Sequence, residues 1–143
     1  MSPEQRRRHA DRDWFGIGCS GLCMVHCAAP LLIVAFGGSL AGSALFGGEW
    51  FHLALLVLVP AIACWSFLPS LRVHRRRLPL ALAAAGVALL LAAVTTPGAS
   101  EAGLSIAGGA LMITAHALNR RHLLAFAALE TVEDVKDVSA ESS

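Results

Sequence analysis

Four long stretches without a charged residue limit what this chain can fold into. No Asp, Glu, Lys or Arg interrupts residues 14–36, 50–71, 78–100 or 102–119. Each stretch is close to the ~20 apolar residues that a helix needs to cross the hydrocarbon core of a bilayer. The pattern therefore predicts an all-α, polytopic membrane protein, a compact bundle of four transmembrane helices. The expected spans are about 14–36, 49–68, 78–96 and 102–118.

The composition supports this class and excludes others. Hydrophobic residues make up 56% of the 143 residues and charged residues only 15%, whereas a soluble domain carries about 25% charged residues. The apolar content is also too high for a disordered chain. Because the net charge is only +1, we expect no nucleic-acid partner, and the expected macromolecular environment is the lipid bilayer.

The positions of the basic residues predict the orientation. Arginines cluster in residues 6–12, 72–77 and 120–121, whereas the loops 37–48 and 97–101 contain no Lys or Arg. The positive-inside rule then places both termini and the middle loop in the cytoplasm. The chain is thus expected to be a multi-pass protein of a bacterial inner membrane.

This layout divides the chain into three parts. Residues 1–13 form a basic cytoplasmic N-terminus, and residues 14–122 form the four-helix transmembrane domain. Residues 123–143 are expected to be an interfacial segment followed by an acidic, disordered tail, because the segment from Glu130 onward is polar and rich in acidic residues.

The first span carries an unusual group of polar side chains. Cys19, Cys23, His26 and Cys27 fall within a sector of roughly 100° on a helix, because residues three and four apart share a face. A single Cys in a membrane helix often acts as a small hydrophobe, but a His at membrane depth indicates function. Thiolate and imidazole prefer soft or borderline cations. The pattern therefore predicts a metal site.

Other spans offer further ligands. Cys64 and His116 are expected at the same depth as Cys19, so the three can form a second, inner layer if the helices are rotated to face each other. Glu49 and His52 stand one turn apart near the outer end of the second span. They are interpreted either as the first contact of an incoming cation or as ordinary side chains of the headgroup region.

The ordered motifs of this chain resemble those of the MerC family of membrane proteins, named for mercury-resistance systems. The matching segments are Leu22-Cys23-Met24-Val25-His26-Cys27, Pro30-Leu31-Leu32, Glu49-Trp50-Phe51-His52, Pro60, His74-Arg75-Arg76 and His116-Ala117-Leu118-Asn119-Arg120-Arg121. The resemblance implies an inner-membrane protein that takes up mercuric ion through a cysteine pair in the first helix, here Cys23 and Cys27. The mercury-resistance members have a Cys-x-x-Cys pair, whereas three residues separate the two cysteines here.

These observations predict a carrier of a soft metal cation, most simply mercuric ion, which passes by ligand exchange between buried Cys and His side chains. No GxxxxGK[ST] motif is present, so movement must follow a gradient or depend on a partner, such as a periplasmic donor or a cytosolic acceptor. We expect no enzyme activity and no obligatory cofactor. The sequence leaves the monomeric or oligomeric state open.

Three alternatives remain at this point. Addition of His26 to the cysteines would suit zinc or cuprous ion rather than mercuric ion. A membrane thiol–disulfide enzyme is a second alternative, although neither outer loop contains the cysteine pair that exchange with a substrate requires. A haem protein is the third, but His52 and His116 lie at opposite depths and make a poor pair of axial ligands.

Overall fold

A computed structural model describes residues 2–37, 49–74, 77–96 and 98–141. Over these residues the chain forms four helices, α1 (Pro3–Ala35), α2 (Glu49–His74), α3 (Leu78–Val94) and α4 (Ala99–Glu141). This confirms the predicted all-α class for the described part of the chain. The predicted outer loop 37–48 lies outside the described residues from position 38 onward.

Helix length and composition distinguish α4 from its neighbours. Within the described residues, its segment Ala99–Asp137 is the one that is long and apolar enough to cross a membrane, and Val57–Ser70 and Leu78–Val94 are shorter apolar helices. The four-span topology and the cytoplasmic position of both termini stay predictions.

Two helices extend well beyond the expected spans. α1 begins at Pro3 rather than at residue 14, and α4 continues to Glu141 through the segment expected to be interfacial and disordered. The two extensions pack on each other. Ala10 of α1 and Leu123 and Ala127 of α4 are buried within these extensions, and such burial of apolar side chains stabilises helix ends that are otherwise polar.

An ion pair also joins the two extensions. The Arg6 guanidinium contacts the Glu130 carboxylate through two nitrogens, with Nε–Oε2 at 3.1 Å and Nη2–Oε1 at 2.5 Å. Such a two-point contact orients both side chains. The acidic segment that looks like a solvated tail in the sequence is therefore tied to the basic N-terminus at its first residue.

α4 is the central helix of the fold. It packs along α1 and α3 and also touches α2, while α2 makes smaller contacts with α1 and α3. The apolar core is formed by Val59, Ala63, Phe67, Ala83, Met112 and Ala115. Since residues from α2, α3 and α4 meet in this cluster, it fixes the arrangement of three of the four helices.

The contacts of α4 depend on glycines that allow close approach. A Cβ on Gly108 would lie 2.9 Å from the carbonyl oxygen of Gly86, and a Cβ on Gly86 would lie equally close to that of Gly108. On the α1 side, a Cβ on Gly109 would collide with the Met24 side chain. Small residues let helix backbones meet in this way where lipid gives no hydrophobic drive for association.

A tight turn leads from α3 into α4. The hydroxyls of Thr95 and Thr96 both donate to the carbonyl oxygen of Ala92, at 2.9 and 2.8 Å, and thereby satisfy the end of α3. Gly98 has φ of +80°, a conformation that suits glycine. This turn places Glu101 in the first turn of α4, next to the candidate site.

Candidate metal site

Cys23 and Cys27 lie one helical turn apart on α1 and line a single cavity of about 40 Å³. This volume exceeds the ~10–15 Å³ that one water molecule needs. All four helices contribute to the wall, which is otherwise formed by Val59, Pro60, Val87, Leu90, Ala93, Val94, Glu101 and Ser105. The four-residue spacing thus directs both sulfurs to one largely apolar space inside the bundle.

The two thiols differ in exposure and interact with each other. Cys23 is buried at 6% exposure, and Cys27 is half-buried. A side-chain hydrogen bond joins them. Two sulfur atoms one helical turn apart on the same cavity wall form a pair of donors for one soft cation.

Glu101 and Ser105 add oxygen atoms to the same cavity, and the sequence reasoning missed both. Ser105 is buried and Glu101 is half-buried. A signal for Glu101 was present, because it is the sole charged residue between Arg77 and Arg120. An isolated carboxylate between two apolar stretches indicates function more often than a charge within a cluster does.

The other predicted ligands lie elsewhere. Cys19 is half-buried and packs against the apolar core, Cys64 is exposed, and His26 is half-buried. None of the three lines the cavity. The side chains of Glu49 and His52 lie outside the described part of the molecule. Within the described part, no three His, Cys, Asp or Glu side chains lie close enough together to form a metal site.

His116 has a partner that the sequence did not predict. The prediction grouped His116 with Cys19 and Cys64, but its Nδ1 lies 2.7 Å from Oδ1 of Asp13, and both side chains are completely buried. Cys64 is exposed, whereas His116 is completely buried. The structure therefore places His116 in a polar network rather than in an inner layer of sulfur ligands.

That network joins three helices around Asp13. Ser66 donates from Oγ to Oδ1 at 2.5 Å, and the Asn119 amide donates to Oδ2 at 2.9 Å. Asn119 also donates to the Ser70 hydroxyl at 3.1 Å, and Ser70 in turn donates to the Ser66 carbonyl oxygen at 2.9 Å. Asp13 of α1 is thereby fixed to α2 and α4. The sequence reasoning treated Asp13 only as the end of the basic segment.

Aromatic and basic side chains surround this end of the bundle. The Arg12 guanidinium lies over the Trp65 ring at 4.6 Å, and that of Arg120 lies over Trp14 at 5.0 Å. Burial lowers the pKa of His9, the nearby Arg12 lowers it further, and Asp13 acts in the opposite direction. These Arg–Trp pairs are typical of the interface between hydrocarbon and water.

A comparison with protein families shows to which family the chain belongs. The family described as MerC mercury resistance protein matches residues 13–121. The chain belongs to the MerC family. The predicted resemblance is thereby confirmed, and this MerC-family chain is a membrane protein related to mercury resistance. Comparison with curated proteins and with solved structures gives no match.

The matched region contains the candidate metal site and the polar network around Asp13. It begins at Asp13 and ends at Arg121, so it includes both the cavity cysteines and the buried network. The α4 segment from His122 to Glu141 and the first helical turns of α1 lie outside it. In this MerC-family chain, the Arg6–Glu130 ion pair therefore lies outside the matched region.

Proposed function

We propose that this MerC-family protein binds mercuric ion between the thiolates of Cys23 and Cys27 and carries the ion across the inner membrane. One observation supports this proposal above the others: both sulfurs line the same cavity, and all four helices form its wall. The ion is the transported substrate, and no enzyme activity or obligatory cofactor is part of the proposal.

The charge balance favours this substrate. When mercuric ion binds, each thiol loses one proton, and two thiolates with one divalent cation form a neutral group. A neutral group costs far less to place in an apolar cavity than a bare ion or a bare thiolate does. Soft sulfur donors also match a soft cation better than hard ions, which prefer oxygen.

The Glu101 carboxylate attracts cations to the periplasmic end of the cavity. It lies in the first turn of α4, on the side opposite to the Arg clusters, which corresponds to the periplasm in the predicted topology. Its carboxylate attracts a cation but holds a soft one weakly, so the ion can pass to the sulfurs by ligand exchange. A periplasmic donor and a cytosolic acceptor are the partners that such a route requires.

The test is uptake of mercuric ion by cells or vesicles containing the protein. Cys23→Ser, Cys27→Ser and the double variant are expected to reduce uptake to the background of vesicles without protein. Cys64→Ser is the matched control, since Cys64 is exposed and lies outside the cavity, and it should transport normally. Unchanged uptake in the double variant, with equal amounts of protein in the membrane, would contradict the proposal.

The oxygen atoms on the wall support zinc as a second candidate substrate. Glu101 and Ser105 line the cavity together with the two cysteines, and zinc accepts both sulfur and carboxylate oxygen ligands. The same variants tested with zinc and cuprous ion as competitors distinguish the substrates. Mercuric transport that is insensitive to a large excess of both ions supports mercuric ion, and inhibition by zinc supports the alternative.

A further inference from the structure

Two guanidiniums at the basic end of the bundle lie on tryptophan rings rather than on carboxylates. Arg12 covers Trp65 at 4.6 Å, and Arg120 covers Trp14 at 5.0 Å. In the described part of the chain neither guanidinium has an ion pair or a hydrogen bond, whereas two other arginines there contact glutamates. A ring contact uses the face of the guanidinium and leaves the N–H groups at its edge for an anion.

The surroundings of Arg120 are the more basic of the two. Arg120 is followed by the exposed Arg121, and positions 102–129 contain no acidic residue. Arg12, in contrast, stands between two aspartates in the sequence, so an anion meets more repulsion there. Nε of Arg120 is enclosed by the protein without a partner. The two Nη nitrogens of Arg120 are therefore the donors that can reach a ligand outside the bundle.

The Asp13 carboxylate of the buried network does not pair with Arg120. Asn119, the residue before Arg120, donates to Oδ2 of Asp13, and Ser66 and His116 lie within hydrogen-bond distance of Oδ1. The ion pair of Asp13 in this region is the one with His116. The Arg120 guanidinium is thus in contact with no carboxylate of the described residues, and a phosphate, which accepts from a guanidinium through two oxygens, suits it.

Trp14 stands at one end of an exposed apolar stripe on α1. Trp14, Phe15, Leu22 and Val25 are each more than half exposed. At 100° per residue they fall within about 100° of the helix circumference, and they cover about 17 Å along the helix axis. This length is close to half of the ~30 Å hydrocarbon core, which corresponds to one leaflet. An acyl chain of a lipid in that leaflet therefore fits along the stripe.

We propose that Arg120 and Trp14 bind an anionic phospholipid in the leaflet on the arginine-rich side of the membrane. The phosphate accepts hydrogen bonds from the Nη nitrogens of Arg120, and one acyl chain lies along the stripe that begins at Trp14. A headgroup with a net negative charge binds better than a zwitterionic one, because a zwitterionic headgroup brings a cation to a surface that is already basic. The proposal is independent of the metal that the cavity binds.

A lipid bound in this way contacts two helices at once. Its phosphate lies on Arg120 of α4 and its acyl chain on α1, so it stabilises the contact between these helices from outside the bundle. A ligand that binds only the folded state raises the stability of that state. In a neutral detergent, phosphatidylglycerol should therefore raise the melting temperature more than phosphatidylcholine does. Inorganic phosphate has no acyl chain and should give no rise. An equal rise with inorganic phosphate would assign the site to the free ion and overturn the lipid proposal.

The direct test is quenching of Trp14 fluorescence by brominated acyl chains in vesicles without mercury. The chain has three tryptophans, so the substitutions Trp50→Phe and Trp65→Phe leave Trp14 as the reporter. Brominated phosphatidylglycerol and brominated phosphatidylcholine are compared in mixed vesicles of the two lipids. We expect phosphatidylglycerol to be preferred beside Trp14 by about fivefold, the effect of one arginine near an anionic surface. Equal quenching by the two lipids would overturn the proposal, and this comparison needs no change at Arg120.

Two substitutions that remove the same charge distinguish a site from general attraction. Arg120→Gln should abolish the preference, whereas Arg7→Gln, at an exposed position of α1, should keep it. An equal loss in both variants would show a diffuse attraction to the basic end and contradict a site at Arg120. Absence of quenching by either lipid would show that protein, such as a second copy of the chain, covers Trp14, and would also overturn the proposal. Because mercury is absent, these results and the mercuric-ion uptake test can fail separately.

Discussion

Gly86 of α3 and Gly108 of α4 lie back to back, so that a methyl group on either one would come within 2.9 Å of the carbonyl oxygen of the other. Backbone atoms cannot rotate away as a side chain does, so a larger residue must push the helices apart. The side chains of Met112 and Leu90 close the space on either side, at 3.0 Å from the two Cβ positions. The α3–α4 contact therefore depends on glycine at both positions.

Gly108→Ala should consequently destabilise the protein. Overpacking of a well-filled contact costs about 1–3 kcal/mol, which outweighs the ~1 kcal/mol that alanine gains over glycine within a helix. Thermal unfolding in detergent measures the effect. Gly103→Ala on the same helix is the matched control, because a Cβ there meets no atom within 4 Å. Equal melting temperatures for the two variants would contradict the close contact.

Gly16→Ala should weaken the α1–α4 contact through the His116 ring. The ring is completely buried, and its Nδ1 is fixed by the bond to Asp13, so it cannot move aside without breaking that bond. We expect a loss of about 1–3 kcal/mol in the free energy of unfolding. Gly18→Ala lies one half-turn away in open space and should leave the stability unchanged or raise it. A stable Gly16→Ala variant would show that the ring has room to move.

Loss of the Arg6–Glu130 pair should loosen the ends of α1 and α4 without changing the bundle. The side chains are 12% and 36% exposed, so we expect a cost of about 1 kcal/mol at most, as for other pairs that are partly open to water. Hydrogen exchange of the backbone amides measures the loosening. The Arg8–Glu4 pair, exposed at 76% and 75%, is the control. Arg6→Glu combined with Glu130→Arg should restore protection, and a failure to do so would contradict an ion-pair role.

Glu101→Gln should slow the uptake of mercuric ion while the sulfur pair remains intact. The amide has the shape of the carboxylate but lacks the charge that draws a cation toward the cavity. We expect a several-fold rise in the concentration needed for half-maximal uptake, largest at low ionic strength because salt screens such attraction. Ser100→Ala, at an exposed neighbouring position, is the control. Uptake that does not change when residue 101 is substituted would contradict a role of the Glu101 carboxylate in the entry of mercuric ion.

His9→Gln should make the protein less sensitive to mild acid. Burial and Arg12 lower the pKa of His9 in the folded state, so the unfolded chain takes up a proton first as the pH falls through about 6.5. Wild-type stability therefore decreases below that pH, and the decrease is complete once the pH is below the folded-state pKa. Glutamine binds no proton, so the melting temperatures at pH 7.5 and pH 5 should differ less in the variant. An identical difference in both proteins would contradict the assignment.

The helices themselves could be predicted because charge-free stretches of bilayer length leave few other structures open. The spacing of Cys23 and Cys27 also predicted a common helix face, and both do line one cavity. These features depend on local periodicity, which is present in the sequence. The extensions of α1 and α4 depend instead on contacts between residues such as Arg6 and Glu130, which are 124 positions apart. The local composition of these two extensions, taken alone, indicates solvated segments rather than packed helices.

The buried network shows the same limit more clearly. An Asp at the start of an apolar stretch usually marks the boundary with water, and nothing near Asp13 in the sequence indicates complete burial. Its partners His116 and Asn119 lie 103 and 106 positions away. The depth of His116 in its helix was predictable from residue counting, but the rotation of that helix, which decides between a thiol and a carboxylate as its neighbour, depends on the packing of all the helices.

α4 is a single rod of 43 residues, or about 65 Å at the rise of an α-helix, roughly twice the thickness of a hydrocarbon core. His116 lies nearly midway between Glu101 and Glu130, about 22 Å and about 21 Å from them along the axis. When α4 tilts about the level of His116, Glu101 and Glu130 move in opposite directions, by about 0.4 Å for each degree of tilt. A tilt of α4 about the level of His116 therefore changes the cavity wall at Glu101 and the ion pair between Arg6 and Glu130 together.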